Sequence, residues 1–281
     1  MARRRKRPNQ PNQPNQPNRP NHRPAMTPQE LRERILADFA LLKVPLTAEE
    51  LDALLAQAER EGLAHLEFVY RLIAEQARQR RERSIAARIR EARFPELTTL
   101  DNFQWDFNKS INRGQIEELL TGEFIRRKDN LVLVGQSGVG KSRIVRSIGL
   151  EACVLGHRVR YTTSAKLLED LKASLADRTL PQRVRYYARF TLLVIDEFGF
   201  DRLERLESPQ AANLLYKIID ARYQQGSTAL VSNIDFDAWT DYLGDPPLAM
   251  ALLDRVVDGA IVIKIKGRSY RAHRGRDPQA D

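Results

Sequence analysis

Residues 130–142 read "NLVLVGQSGVGKS". A short apolar run stops at Gly135, and G-x-x-x-x-G-K-S follows at 135–142. The run has the length and branching of a buried strand. The loop places glycine at 135, 138 and 140, where backbone N–H groups wrap an anion and a Cβ would stand in the way. Lys141 is placed to reach the β- and γ-phosphates of a nucleotide, and Ser142 to hold Mg2+. The helix expected from 141 to about 154 aims its positive end at the same anion. The expected nucleotide contacts are Gly135, Gln136, Ser137, Gly138, Val139, Gly140, Lys141, Ser142 and Arg143. A chance match to this pattern in a chain of such length is about 1 in 100, and the flanking strand and helix lower it further.

Downstream, apolar runs alternate with helical patterns. Strands are expected at 130–135, 158–163, 190–196, 228–233 and 260–265, and helices at 141–154, 165–176, 208–225, 236–243 and 248–257. Such alternation implies an α/β fold, a five-stranded parallel sheet covered on both faces. The stretch "TLLVIDEFG" (191–199) puts Asp196 at the end of a buried strand, where parallel sheets present ligands. Asp196 is the expected second Mg2+ holder, and Glu197 the base that activates a water against the γ-phosphate. An adjacent Asp-Glu pair marks hydrolysing ATPases with an extra strand between this one and the loop strand. Small-molecule kinases need no such Glu, and a GTPase would add N-K-x-D, which is absent. The strand "STALVSN" (227–233) ends in Ser232 and Asn233, either a sensor that orients the water or ordinary turn residues. Arg255 closes an apolar helix before the last strand; it reads either as an arginine finger for a neighbouring subunit or as a helix-terminal surface cation.

Upstream, "TTLDNFQWDFNKSINRGQIEELLTGEF" (98–124) reads as a connector. Phe103, Trp105 and Phe107 alternate, so an extended piece packs its rings on one side, either to hold a base or to seal a domain junction. Residues 27–93 read as a small all-α domain. Thr27 with Glu30 and Thr47 with Glu50 have the spacing of capping boxes. Leu31, Ile35 and Phe39, then Leu51, Leu54 and Leu55, then Leu66, Val69, Tyr70 and Ile73 recur at helical spacing, and the last helix runs from about Leu66 to Arg93. Residues 3–24 are a Pro-Asn repeat with nothing to bury, an expected disordered tail.

The net charge of +9 is uneven. Residues 1–24 carry +7 and residues 78–93 carry +5, so the rest is acidic by three. Clustered cations suggest a nucleic-acid phosphate backbone as partner, met by Arg78, Arg80, Arg81, Arg83, Arg88 and Arg90; a solvated helix face with a solubility tail is the alternative. A single cysteine, Cys153, excludes a disulfide framework and reads as a core thiol, and four scattered His form no metal site. No apolar run could span a membrane and no signal peptide precedes the chain, so the expected compartment is a bacterial cytoplasm.

Taken with "LLVIDEFGF", "GSTALVSNIDFDAW" and "GDPPLAMALLDRVVDGAIVIKIKGRSYR", the chain from about 30 to 272 resembles the IstB-like ATPases, AAA+ helpers of insertion-sequence transposases akin to DnaC-type helicase loaders. The resemblance implies an ATP- and Mg2+-dependent homo-oligomer that binds DNA and serves a cognate transposase. It implies the roles above for Lys141, Ser142, Asp196, Glu197 and Asn233, and favours the finger for Arg255. Gln136-Ser137 stand where the family often has two prolines. No long lid domain follows Arg271, so Lys264, Lys266 or Arg268 would take its part at the nucleotide. The implied organisation is a tail at 1–25, a helical domain at 26–95, an AAA+ core at 96–272 and a flexible end at 273–281. The rivals are a helicase-loading adaptor, told apart by gene neighbourhood, and an ATP-binding switch without useful turnover.

Overall fold

The computed structural model describes residues 26–200 and 210–274. The expected tail, the first residues of the helix placed at 208–225, and the chain beyond 274 lie outside the described residues. The chain divides into two compact units at Arg80/Arg81, within its longest helix.

The first unit contains α1 (Pro28–Leu41), α2 (Ala48–Glu61) and the start of α3 (His65–Ala92). Both capping boxes are formed. The Thr27 hydroxyl accepts from the Glu30 N–H at 3.2 Å while the Glu30 carboxylate accepts from the Thr27 N–H at 2.7 Å, and Thr47 with Glu50 repeats the arrangement. Arg32 Nε donates to Asp52 at 2.8 Å, tying α1 to α2, and Arg71 joins α3 to Glu61 of α2. Leu46 and Leu51 are buried, yet Leu31, Leu66, Val69, Tyr70 and Ile73 are exposed. Their spacing is that of a helix, but the stripe on α3 is not a core.

The second unit takes the rest of α3, a 3-10 turn (Trp105–Phe107), α4 (Arg113–Leu120) and α5 (Glu123–Arg127) before the sheet begins. Then follow β1 (Leu131–Gly135), α6 (Lys141–Val154), β2 (Val159–Thr163), α7 (Ser164–Ala176), α8 (Leu180–Ala188), β3 (Leu192–Phe198), α9 (Ala211–Arg222) and β4 (Ser227–Ser232). A 3-10 turn (Phe236–Ala238), α10 (Trp239–Leu243), α11 (Pro246–Val257), β5 (Ile261–Ile265) and α12 (Tyr270–Arg274) complete it. All five expected strands are present and every pairing is parallel, in the order β2-β3-β4-β1-β5. β4 therefore separates the loop strand β1 from the Asp-Glu strand β3, as the acidic pair implied.

Alternation along the strands builds two cores. Leu131, Leu133, Leu192 and Val194 face Ile144, Val145 and Ile148 of α6. Val132, Val134, Leu193 and Ile195 face Leu167 and Leu171 of α7 with Leu214 and Ile218 of α9. Both faces are covered, so the strands read as continuous apolar runs.

The connector differs from its expected form. It is not one extended piece: a 3-10 turn and two helices interrupt it, because Asn112 caps α4 through Oδ1 to the Gln115 N–H at 3.2 Å. The rings have different neighbours. Phe103 packs on Trp105 at 4.7 Å, whereas Phe107 meets Tyr270 at 5.1 Å. α8, "LPQRVRYYA", was not expected; its arginines obscure the few residues it buries.

Candidate functional site

A cavity of about 600 Å3 lies at the C-terminal ends of β1, β3 and β4, where the sheet order reverses. Its wall includes Ser137, Gly138, Val139, Gly140, Lys141, Ser142 and Arg143 from the loop, Asp196 and Glu197 from β3, and Asn233 after β4. The loop adopts the shape its glycines permit: φ is +83° at Gly138 and +104° at Gly140, and a Cβ at Gly138 would come within 2.1 Å of Ser269 Oγ. Gly135 and Gln136 do not line the cavity. Their carbonyls accept from Lys141 Nζ at 2.6 and 2.8 Å, which holds the buried ammonium over the loop.

Asp196 is buried and fully engaged. Oδ1 accepts from Ser142 Oγ at 3.1 Å and from the Glu197 N–H at 2.8 Å; Oδ2 accepts from the Tyr161 hydroxyl at 2.6 Å. Burial and this carboxylate push the Tyr161 phenol far above its ordinary range, so it remains a donor. Ser142 and Asp196 thus set two hard oxygen ligands side by side, a donor set that fits Mg2+.

The β3–β4 ladder carries an irregularity here: Ile195 pairs with Leu230, but the next pair is Phe198 with Ser232. One extra residue is accommodated at Asp196-Glu197, and Glu197 takes φ +63°. That bulge leaves Asp196 buried and turns Glu197 out to the cavity wall. Of the pair after β4, Asn233 lines the cavity, while Ser232 is buried and donates to the Ile234 carbonyl at 2.6 Å.

The remaining wall includes Phe103 and Phe107, two of the rings marked in the connector as holding a base or sealing a junction, and residues that the sequence had not marked. Glu96, Thr98, Thr99, Asn102, Phe103, Phe107, Arg146 and Tyr270 all contribute. Thr98 Oγ1 is buried without a hydrogen-bond partner among the described residues, although buried polar atoms are generally satisfied. Arg143 donates twice to the Thr99 carbonyl at 3.2 Å and stands 5.7 Å from the Phe103 ring. Asn108 Nδ2 donates to the Val139 carbonyl at 3.2 Å, and the Tyr270 N–H to the Gly138 carbonyl at 2.9 Å, so the segments before and after the core both grip the loop. Lys264, Lys266 and Arg268 do not line the cavity, in contrast to the lid role expected of them; Lys264 pairs with Asp235 at 2.8 Å. Tyr270 is the lining residue from that part of the chain.

Arg255 is elsewhere. Its guanidinium lies 3.4 Å from Asp220, 3.3 Å from Asp254 and 4.6 Å from the Tyr223 ring. Its backbone carbonyl accepts from Asn130, at the N-terminal end of β1, whereas the phosphate loop follows the C-terminal end. Among the expected DNA contacts, Arg78 pairs with Glu75, and Arg88 is half-buried with Nε on the Cys153 carbonyl at 2.7 Å, a favourable place for a cation at the end of α6. Arg80, Arg81, Arg83 and Arg90 are exposed. Cys153 is a core thiol, pushed by burial up to about 11. Among the described residues no helix is long and apolar enough to cross a membrane.

The family of IstB-like ATP binding proteins matches residues 37–277. The chain belongs to that family. A relative from Geobacillus stearothermophilus, described as an ATP-binding protein of insertion sequence IS5376, is 32% identical over 88% of this chain and 96% of its own length. One from Pseudomonas aeruginosa, described likewise for IS21, is 31% identical over 82% and 85%. Among solved structures, DnaI resembles the chain with TM-score 0.49 and 20% identity over 60% of this chain and 91% of that one, and the DnaC helicase loader with 0.45 and 20% over 60% and 97%. For this IstB-like chain the sheet order and phosphate loop already account for nucleotide binding as the common property.

Proposed function

We propose that this IstB-like protein hydrolyses ATP with Mg2+, assembles as a homo-oligomer on duplex DNA and assists the transposase of an insertion sequence. The observation that carries the ATPase reading is the bulge in β3, which sets Asp196 against Ser142 and turns Glu197 into the same cavity. In this reading the loop N–H groups and Lys141 bind the phosphates, and Ser142 and Asp196 would hold Mg2+, which would supply positive charge beside the β- and γ-phosphates. Glu197 takes the proton of the attacking water, and Asn233 orients that water. The base lies against 97–103, where Thr98 Oγ1 has no hydrogen-bond partner among the described residues and Arg143 backs Phe103.

Arg255 acts on the ATP of a neighbouring subunit. This rests on its distance from its own cavity, at the opposite ends of the strands. DNA is gripped through phosphates by exposed arginines of α3, without reading sequence. The insertion-sequence relatives support the transposition setting.

Steady-state ATP hydrolysis with and without random duplex DNA tests the whole reading. Stimulation by DNA, lost in Lys141→Ala, is the expected result. Hydrolysis indifferent to DNA at every protein concentration would sink the coupling between assembly and turnover.

A further inference from the structure

A second cleft, of about 500 Å3, opens beside the edge strand β2 and shares no lining residue with the nucleotide cavity. Arg93, Arg160, Lys166 and Arg183 line it against one carboxylate, Asp170. Asp170 accepts from the Tyr187 hydroxyl at 2.7 Å and lies 3.4 Å from Arg183, so three positive charges remain in excess. Arg160 is 8% exposed. Its Nη1 donates to the Glu91 carbonyl at 3.3 Å, but its buried Nε has no hydrogen-bond partner among the described residues. A buried cationic donor without an acceptor is costly, and in native proteins such groups are usually satisfied. The N-terminus of α7 lies at the same cleft: Thr163 caps it through Oγ1 to the Lys166 N–H at 3.3 Å, and both residues line the wall. A helix N-terminus adds positive potential to the three excess charges.

We propose that this cleft binds a backbone phosphate of a nucleic acid strand. The charge excess and the helix end suit a phosphate better than a single carboxylate, which one guanidinium would satisfy. A polymer is indicated by continuity. Arg93 directly follows α3 and ends the arginine-rich segment, so the exposed Arg83, Arg90 and Arg93 lead along the ATPase unit to the cleft. The inference rests on the reading that the protein works on DNA. It also supplies a route to the ATP site. Tyr161 borders the cleft, and its hydroxyl donates to Asp196, so the cleft and the Mg2+ carboxylate have one residue of β2 in common.

The test uses the full chain and a labelled single strand and duplex of one sequence, with binding followed by anisotropy across a salt series. Lys166 is exposed in the first turn of α7, where an acid is favourable, so Lys166→Glu keeps the fold. The expected result is about tenfold weaker binding of at least one DNA form and a salt slope smaller by roughly one to two phosphates. Basal ATP hydrolysis stays unchanged while its stimulation by DNA falls. Arg160→Met, which preserves the buried stem, repeats the loss. Wild-type affinity and slope in Lys166→Glu for both DNA forms overturn the proposal. If Arg78, Arg80, Arg81 and Arg83 replaced together by Ala abolish binding in that case, only the cleft is wrong; if they too leave it intact, the DNA site lies elsewhere, and it is absence of binding by the wild-type chain that would sink the reading that the protein works on DNA. Altered self-association with unchanged DNA affinity would assign the cleft to an acidic segment of a second copy, and would equally overturn it.

Discussion

Glu197 holds φ at +63°, a conformation that costs a non-glycine residue on the order of 1 kcal/mol and clusters at functional sites. The bulge that imposes it keeps Asp196 inward and Glu197 outward, two adjacent carboxylates with different surroundings. Glu197→Gln retains volume and backbone but removes the base. Phosphate release is expected to fall by about 100-fold or more, while ATP affinity by fluorescent-nucleotide titration stays within about twofold. Retained turnover would remove Glu197 from the mechanism. Tyr161→Phe removes one of the bonds that fix Asp196. The Mg2+ concentration for half-maximal hydrolysis is expected to rise about tenfold, with nucleotide binding in the absence of Mg2+ unchanged. The carboxylates were legible because an apolar run ends on them. Tyr161 was not: its partner lies 35 residues away, and "VRYTT" looks like any edge of a strand.

Arg222, the last residue of α9, shows what an element hides until the chain closes around it. It is buried and, among the described residues, has no carboxylate partner. Instead it donates to the carbonyls of Tyr187 and Phe190 at 2.8 Å, to that of Ser227 at 2.5 Å and to Thr228 Oγ1 at 3.0 Å. One side chain thus gathers the end of α8, the approach to β3 and the start of β4. Burial pushes its guanidinium down to about 9, so it is still a cation at pH 7. Arg222→Met deprives those carbonyls of their donor and is expected to cost about 3 kcal/mol in urea unfolding, with nucleotide affinity of the folded protein unchanged. A loss below about 1 kcal/mol would mean that the carbonyls find other donors. Element by element, the alternation of strands and helices was legible because parallel strands buried on both faces read as apolar runs. The capping boxes were legible because their partners are three residues apart. The connector was misread: alternating Phe103, Trp105 and Phe107 have the period of a strand, but a 3-10 turn divides them between two partners.

At the scale of the whole molecule, the parallel sheet separates chemistry by strand end. The phosphate loop, Glu197 and Asn233 gather where β1, β3 and β4 finish, and Arg255 stands where β1 starts. Within one chain these cannot meet, since β1 spans the distance between them. The sequence could place Arg255 on a helix end but could not say what it faces, because a surface cation and a finger for a neighbour have the same local pattern. The proposed assembly gives a sharp expectation. Arg255→Ala alone should bind ATP normally, since it removes nothing from its own cavity, and should not hydrolyse it. Glu197→Gln alone should also bind without turnover. Mixed in one assembly, an Arg255→Ala subunit contributes an intact cavity and the Glu197→Gln subunit an intact Arg255, so some interfaces regain both groups. Partial recovery of ATP hydrolysis on mixing, scaling with protein concentration and raised by DNA, is the outcome that a finger acting between subunits demands. Two inactive variants that stay inactive when mixed, while shown to co-assemble, would return Arg255 to its contacts with Asp220 and Tyr223 as a structural cation.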